Sequence, residues 1–137
     1  MITQGIALSA KQAFLIGLHQ PNDQYKIALY RTDAKIGPEL QKYTPNGEIS
    51  GNGYEAGGIK LSGFKTGVAG KSAWVSFDDI KLNRASFQAA GAVVYNASKD
   101  NAVMCVLAFG GERGVFDGTF ELKFPKPTET SALILLA

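Results

Sequence analysis

Residues 90–95 and 102–109 are apolar on both faces, and one short polar segment, Asn96-Ala97-Ser98-Lys99-Asp100-Asn101, separates them. Apolar runs of this length around a turn-rich hexapeptide predict a central antiparallel hairpin. This restricts the fold more than any other feature, because a hairpin apolar on both faces has to be covered above and below.

Little of that cover is expected from helix. Ala10, Ala13, Phe14, Gly17 and Leu18 recur at helical spacing, which predicts one short amphipathic helix over 10–18. Ser9 is its expected N-cap and Gln20-Pro21-Asn22-Asp23 its stop. From Tyr25 onward the period is two. Tyr25, Ile27 and Leu29 alternate with Lys26, Ala28 and Tyr30; Ala73, Val75 and Phe77 with Trp74, Ser76 and Asp78; Phe120, Leu122 and Phe124 with Thr119, Glu121 and Lys123. Further strands are expected near 58–63, 80–88 and 131–136, with turns at Pro45-Asn46-Gly47, Gly110-Gly111 and Asp117-Gly118. Residues 33–52 read as an irregular excursion over the surface, and Gly63 to Gly70 as a flexible connection or exposed hairpin. At 137 residues, 45% apolar, the chain has the size of one domain, 1–137. The expected fold is all-β, an antiparallel β-sandwich, jelly-roll-like or immunoglobulin-like, with one short N-terminal helix.

The stretch Ser50 to Gly63, SGNGYEAGGIKLSG, invites a phosphate-loop reading that its context refuses. Gly51 and Gly53 are followed by Ala56 where a dinucleotide fingerprint needs its third glycine, and Ile59-Lys60-Leu61 continues as strand, not helix. Gly70-Lys71-Ser72 imitates the end of a P-loop but also opens a strand. The glycines instead predict backbone geometry: a tight turn at Gly51-Asn52-Gly53 and a bulge or close approach at Gly57-Gly58. Tyr54 is the expected anchor between them, its ring on the sheet and its hydroxyl bonded to backbone.

Other chemistry is thin. Fourteen Lys and Arg against twelve Asp and Glu, scattered along the chain, give no footprint for nucleic acid. One cysteine excludes an internal disulfide, and Cys105, inside an apolar run, reads as a buried thiol. One His and one Cys make no zinc set, and no cofactor or metal is expected. His19 reads as a helix C-terminal cap, and Asp78-Asp79 as a turn, not an acid-base pair. Asn96-Ala97-Ser98, a glycosylation sequon, reads as a surface turn. No run approaches the roughly 18 apolar residues of a membrane span, and no secretory signal is recognisable at the N-terminus, so a cytosolic product without membrane or enzymatic role is expected.

What remains is surface for other proteins. Trp74, opposite Val75 and Phe77, is a candidate for packing on a partner or a covering loop. The apolar tail Ser131 to Ala137, centred on Leu135, needs cover from the sandwich or a neighbouring subunit, which predicts self-association.

The ordered set Lys11 to Tyr30, Ile49 to Leu61 (ISGNGYEAGGIKL), Trp74 to Asp79 (WVSFDD), Phe87 to Asn96 (FQAAGAVVYN) and Gly118 to Pro125 (GTFELKFP) resembles a group of small virion proteins of tailed bacteriophages. The resemblance implies a non-enzymatic capsid cement or decoration protein, made in the host bacterial cytoplasm and carried in the virion. Such a protein is a β-sandwich, often a homotrimer, docked on the major capsid protein. A tail or head-to-tail component and a host-surface or carbohydrate-binding module are the alternatives. The structural and interface candidates are Gly53, Tyr54, Gly57, Gly58, Trp74 and Leu135.

Overall fold

The central hairpin forms as the sequence dictates, but its arms are far longer than the apolar runs. In the computed structural model, which describes residues 1–128 and 130–136, β6 runs Ile80–Asn96 and β7 runs Ala102–Leu122. The other elements are β1 (Gly5–Ile6), α1 (Leu8–Leu15), β2 (Tyr25–Tyr30), β3 (Ile59–Lys60), β4 (Lys65–Ala69), β5 (Ser72–Ser76) and β8 (Ile134–Leu136). All pair antiparallel, in a five-stranded sheet ordered β1-β7-β6-β2-β3 and a three-stranded sheet ordered β4-β5-β8.

Two expected turns are bulges inside β7. Ala89 pairs with Arg113 and Gly91 with Ala108, so residues 109–112, including Gly110 and Gly111 at positive φ, stand opposite Ala90 alone. Asp117, at φ 44°, falls in the irregularity between the pairs Ala85–Gly118 and Phe87–Val115. Gly and Asp tolerate the left-handed backbone of a bulge as well as that of a turn, and each bulge adds bend and twist without ending the strand. Gly63 to Gly70 is resolved in favour of a hairpin, with Ala69 paired to Ser72 across Gly70-Lys71.

Alternation along the strands divides the interior in two. Tyr25, Ile27, Leu29, Ala92 and Val94 face a core shared with Phe77, Phe120, Phe124, Leu133 and Ile134, between the two sheets. Ala28, Tyr30, Val93, Tyr95, Val103 and Val106 face the other way, under α1 and residues 34–43. The 33–52 region is thus not a surface excursion but a pinned cover. Ala34, Ile36, Glu48 and Ile49 are buried, and bridges Ile2–Ile36, Tyr30–Glu48 and Lys42–Ala102 hold it down.

The helix starts earlier than expected. Ala7, not Ser9, is the N-cap, and Ser9 lies inside the first turn with its hydroxyl buried and unpaired. A side-chain cap is unnecessary because the Ala7 and Leu8 amides donate to the Met104 and Pro38 carbonyls at 3.0 and 2.9 Å. Gly17 at φ 68° ends the helix: its N–H reaches Phe14 O and that of Leu18 reaches Ala13 O, a Schellman motif. Among the described residues no helix is long and apolar enough to cross a membrane.

Candidate functional site

The six sequence candidates fall into two groups. Tyr54 and Gly57 bond to Glu48, which sequence reasoning missed, and Gly53 and Gly58 flank them in the same loop. The Glu48 carboxylate accepts the Tyr43 hydroxyl at 2.5 Å, the Gly57 N–H at 2.9 Å and a short hydrogen bond from the Tyr54 hydroxyl. The Tyr54 oxygen accepts the Leu29 N–H at 3.1 Å, and its ring meets Phe87 edge-on. Tyr95 stacks on Tyr43 with centroids 4.9 Å apart and donates to the Gly57 carbonyl. Burial raises all these phenols above their usual range, and hydrogen bonding to the Glu48 carboxylate raises Tyr43 and Tyr54 further. They stay protonated donors. Tyr54, its hydroxyl engaged and its ring on the core, is a staple rather than an exposed stacking platform.

The glycines let this staple close. A Cβ on Gly58, at φ 100°, would stand 2.3 Å from the Ile27 carbonyl oxygen, and one on Gly53, at φ 84°, would stand 2.9 Å from Ala85 Cα. Gly57, at φ 95°, has room for a Cβ but keeps a left-handed backbone that aims its N–H at Glu48.

Trp74 and Leu135 form the second group, directly opposite each other on β5 and β8. The Trp74 indole lies across Gly67 on β4, where a Cβ would come within 2.8 Å of the ring. Beside it, the end of α1 and the small sheet leave a slot of about 170 Å³ lined by Phe14, His19, Thr66, Ala73, Trp74, Val75, Ile134 and Leu136. The neighbouring cross-strand row Val68–Ala73–Leu136 reaches the surface, with Val68 77% and Leu136 43% exposed. Leu15 and Ile16, next to Phe14, are also exposed.

His19 is not a helix cap. It lies beyond the Schellman turn, and Nδ1 is 3.0 Å from the Asn96 side-chain amide. That amide also donates to Asp23, which is held at 2.8 Å by Lys99. Asn96 itself is fully buried, so the sequon's turn is at the surface but its asparagine is not. The two adjacent carboxylates diverge: Asp78 pairs with Lys65 at 2.9 Å, and Asp79 accepts the Phe124 N–H at 2.9 Å. Cys105 is buried. Among the described residues no three His, Cys, Asp or Glu side chains gather to hold a metal.

A signal for the Glu48 cluster exists in the sequence: five tyrosines in β-rich surroundings need polar partners for their tips once buried. The identity of that partner depends on non-local folding and is not written locally. Comparison with family models, curated proteins and solved structures finds no match for this chain.

Proposed function

We propose that this chain is a non-enzymatic structural protein of a tailed-bacteriophage virion, a cement or decoration protein that binds the assembled head through its major capsid protein. In this reading it acts as a homo-oligomer, first expected as a trimer. The observation that carries the proposal is the apolar surface of the small sheet. Val68, Ala73 and Leu136 cross all three strands in one row beside the Trp74 slot, and β4 and β8 pair only with β5 among the described residues. Aromatic and aliphatic anchors around a pocket, flanked by open strand edges, suit protein contacts through area and edge pairing.

The buried polar groups support the same reading. Glu48 with its tyrosines, and Asp23 with Asn96 and Lys99, tie loops to the frame and make it rigid. The segments that resemble virion proteins supply much of that frame, including β2, the second half of β5, residues 87–96 of β6 and the end of β7. A rigid module that binds an assembled shell and not its dissociated parts stabilises the shell by mass action, and repetition over the lattice adds avidity.

The test is the particle itself. Purified virions should contain the chain in a stoichiometry set by capsid symmetry, and cryo-electron density should place it on the head. Stripped heads should lose heat resistance and regain it when the protein is added back. Absence from mature virions overturns the proposal, and density on the tail alone moves the protein to that station.

A further inference from the structure

Among the described residues one large aromatic side chain stands almost wholly in solvent: Phe116, 91% exposed, beside the Asp117 bulge of β7. The bulge is fixed, because the Asp117 N–H donates to Ser86 Oγ at 2.8 Å. The ring is therefore presented by a pinned backbone, which removes much of the ordering cost of a contact.

The slot has the size of such a ring. Its volume of about 170 Å³ is close to the roughly 150 Å³ of an apolar cavity known to take up benzene. Phe14, Val75, Ile134 and Leu136 give it apolar walls. It also has an unmet polar need. Asn96 donates to His19 Nδ1, so the ring proton is on Nε2, and Nε2 is buried without a partner.

Knob and slot cannot meet within one molecule. Ser86, which holds the bulge, and Asn96, which holds His19, are ten residues apart on β6, on the order of 30 Å along a strand. We propose that Phe116 of one copy inserts into the Phe14–His19–Trp74 slot of a second copy. Asp117 next to the knob and the exposed Lys71, two residues before Ala73, bring opposite charge to the rim of the contact. Because the two surfaces differ, each copy keeps one of each free, and association continues until a ring closes or a chain grows. The inference rests only on the self-association in the functional reading above.

Sedimentation velocity across a concentration series tests it, with the fluorescence of Trp74, the only tryptophan, as a reporter on the strand that backs the slot. Wild type should associate with a spectral shift. Phe116→Ala should weaken association at least about tenfold, and Ala73→Arg, at an exposed position, should block the slot to a similar degree. Circular dichroism should show both variants folded. Mixed together they should form a 1:1 complex and nothing larger, since one keeps only the slot and the other only the knob. A wild type that stays monomeric, a Phe116→Ala that associates normally, or a mixture that forms no complex each overturns the inference. Binding to stripped heads is scored separately, so a monomer that still docks on heads defeats this inference and the homo-oligomer with it, and leaves the head-binding role standing.

Discussion

The Asn96 side-chain amide sits 3.0 Å from His19 Nδ1 and 2.8 Å from the Asp23 carboxylate, while its carbonyl accepts the Ser98 N–H. Its orientation is fixed by the last two contacts, so His19 Nδ1 has to accept and the ring is held neutral. Burial, the largest influence, lowers the His19 pKa from 6.5; Asp23 opposes it and Lys99 adds to it. For Asp23 burial acts upward, but hydrogen bonds from Asn96, Lys99 and the Gln20 amide overcome it and hold the carboxyl at about 2.

Both shifts make the unfolded chain bind more protons than the folded one, so both make stability rise with pH. The His19 contribution is complete above 6.5 and is lost as pH falls below that value; the Asp23 contribution is complete above 3.8 and is lost on the way to about 2. Urea midpoints measured from pH 7.5 to 3 should fall in two stages. His19→Gln, which keeps an acceptor without the titration, should remove the first. A midpoint independent of pH between 7.5 and 5.5 in the wild type contradicts this assignment.

Glu48 offers a direct test of the tyrosine staple. Its carboxylate accepts from Tyr43, Tyr54 and the Gly57 N–H. Gln keeps the shape but turns half of the acceptor set into donors facing donors. With charge-assisted hydrogen bonds at about 1.5–3 kcal/mol and unsatisfied groups at about 1–3 kcal/mol, Glu48→Gln should cost about 2–4 kcal/mol in chemical denaturation. Tyr54→Phe should cost about 1–3 kcal/mol, since it strands the Leu29 amide as well. Losses under about 0.5 kcal/mol, the scale of ordinary surface changes, show that the cluster does not hold the loops.

These same residues show what is legible in the sequence. Strands β2 and β5 and the end of β7 follow from period two, because alternation is a local record of which face is buried, and the hairpin at 96–101 follows from the apolar runs around its turn residues; β1, only Gly5 and Ile6, leaves no such record. The continuity of β6 and β7 does not, since Gly110-Gly111 and Asp117-Gly118 carry turn chemistry that serves a bulge equally well. Glu48 gathers Tyr43 and Tyr54 from two loops, and His19 meets Asn96 across 77 positions. No local pattern encodes such meetings. The glycines of SGNGYEAGGIKLSG are legible as backbone devices, whereas the carboxylate they close upon is not.

Gly58 and Gly110 separate two uses of positive φ. Both are left-handed, but a Cβ at Gly58 would stand 2.3 Å from the Ile27 carbonyl, while one at Gly110 meets nothing within 4 Å. Gly110→Ala should therefore cost only the backbone term, roughly 1–2 kcal/mol. Gly58→Ala adds a clash that the β2–β3 pairing must absorb, and the sum should exceed about 3 kcal/mol. Thermal unfolding of the pair checks this, and equal losses at the two sites would count against close approach as the reason for Gly58.

Cys105 gives a measure of how tightly the central hairpin is closed. The thiol faces the core beside Val94, opposite it on β6, and burial pushes its pKa up to about 12. The thiolate is the reactive form, so at pH 8 both its scarcity and its inaccessibility protect it. Alkylation should be absent in native buffer over hours and should appear with the global unfolding transition in urea, because exposing Cys105 means separating β7 from β6 and β1. Cys105→Ser should lose about 1–3 kcal/mol by placing a hydroxyl among apolar neighbours, and Cys105→Ala less than Cys105→Ser. Labelling at low urea, well before the sheet signal changes, would show that this part of the hairpin opens on its own and that the two long strands are not one cooperative unit.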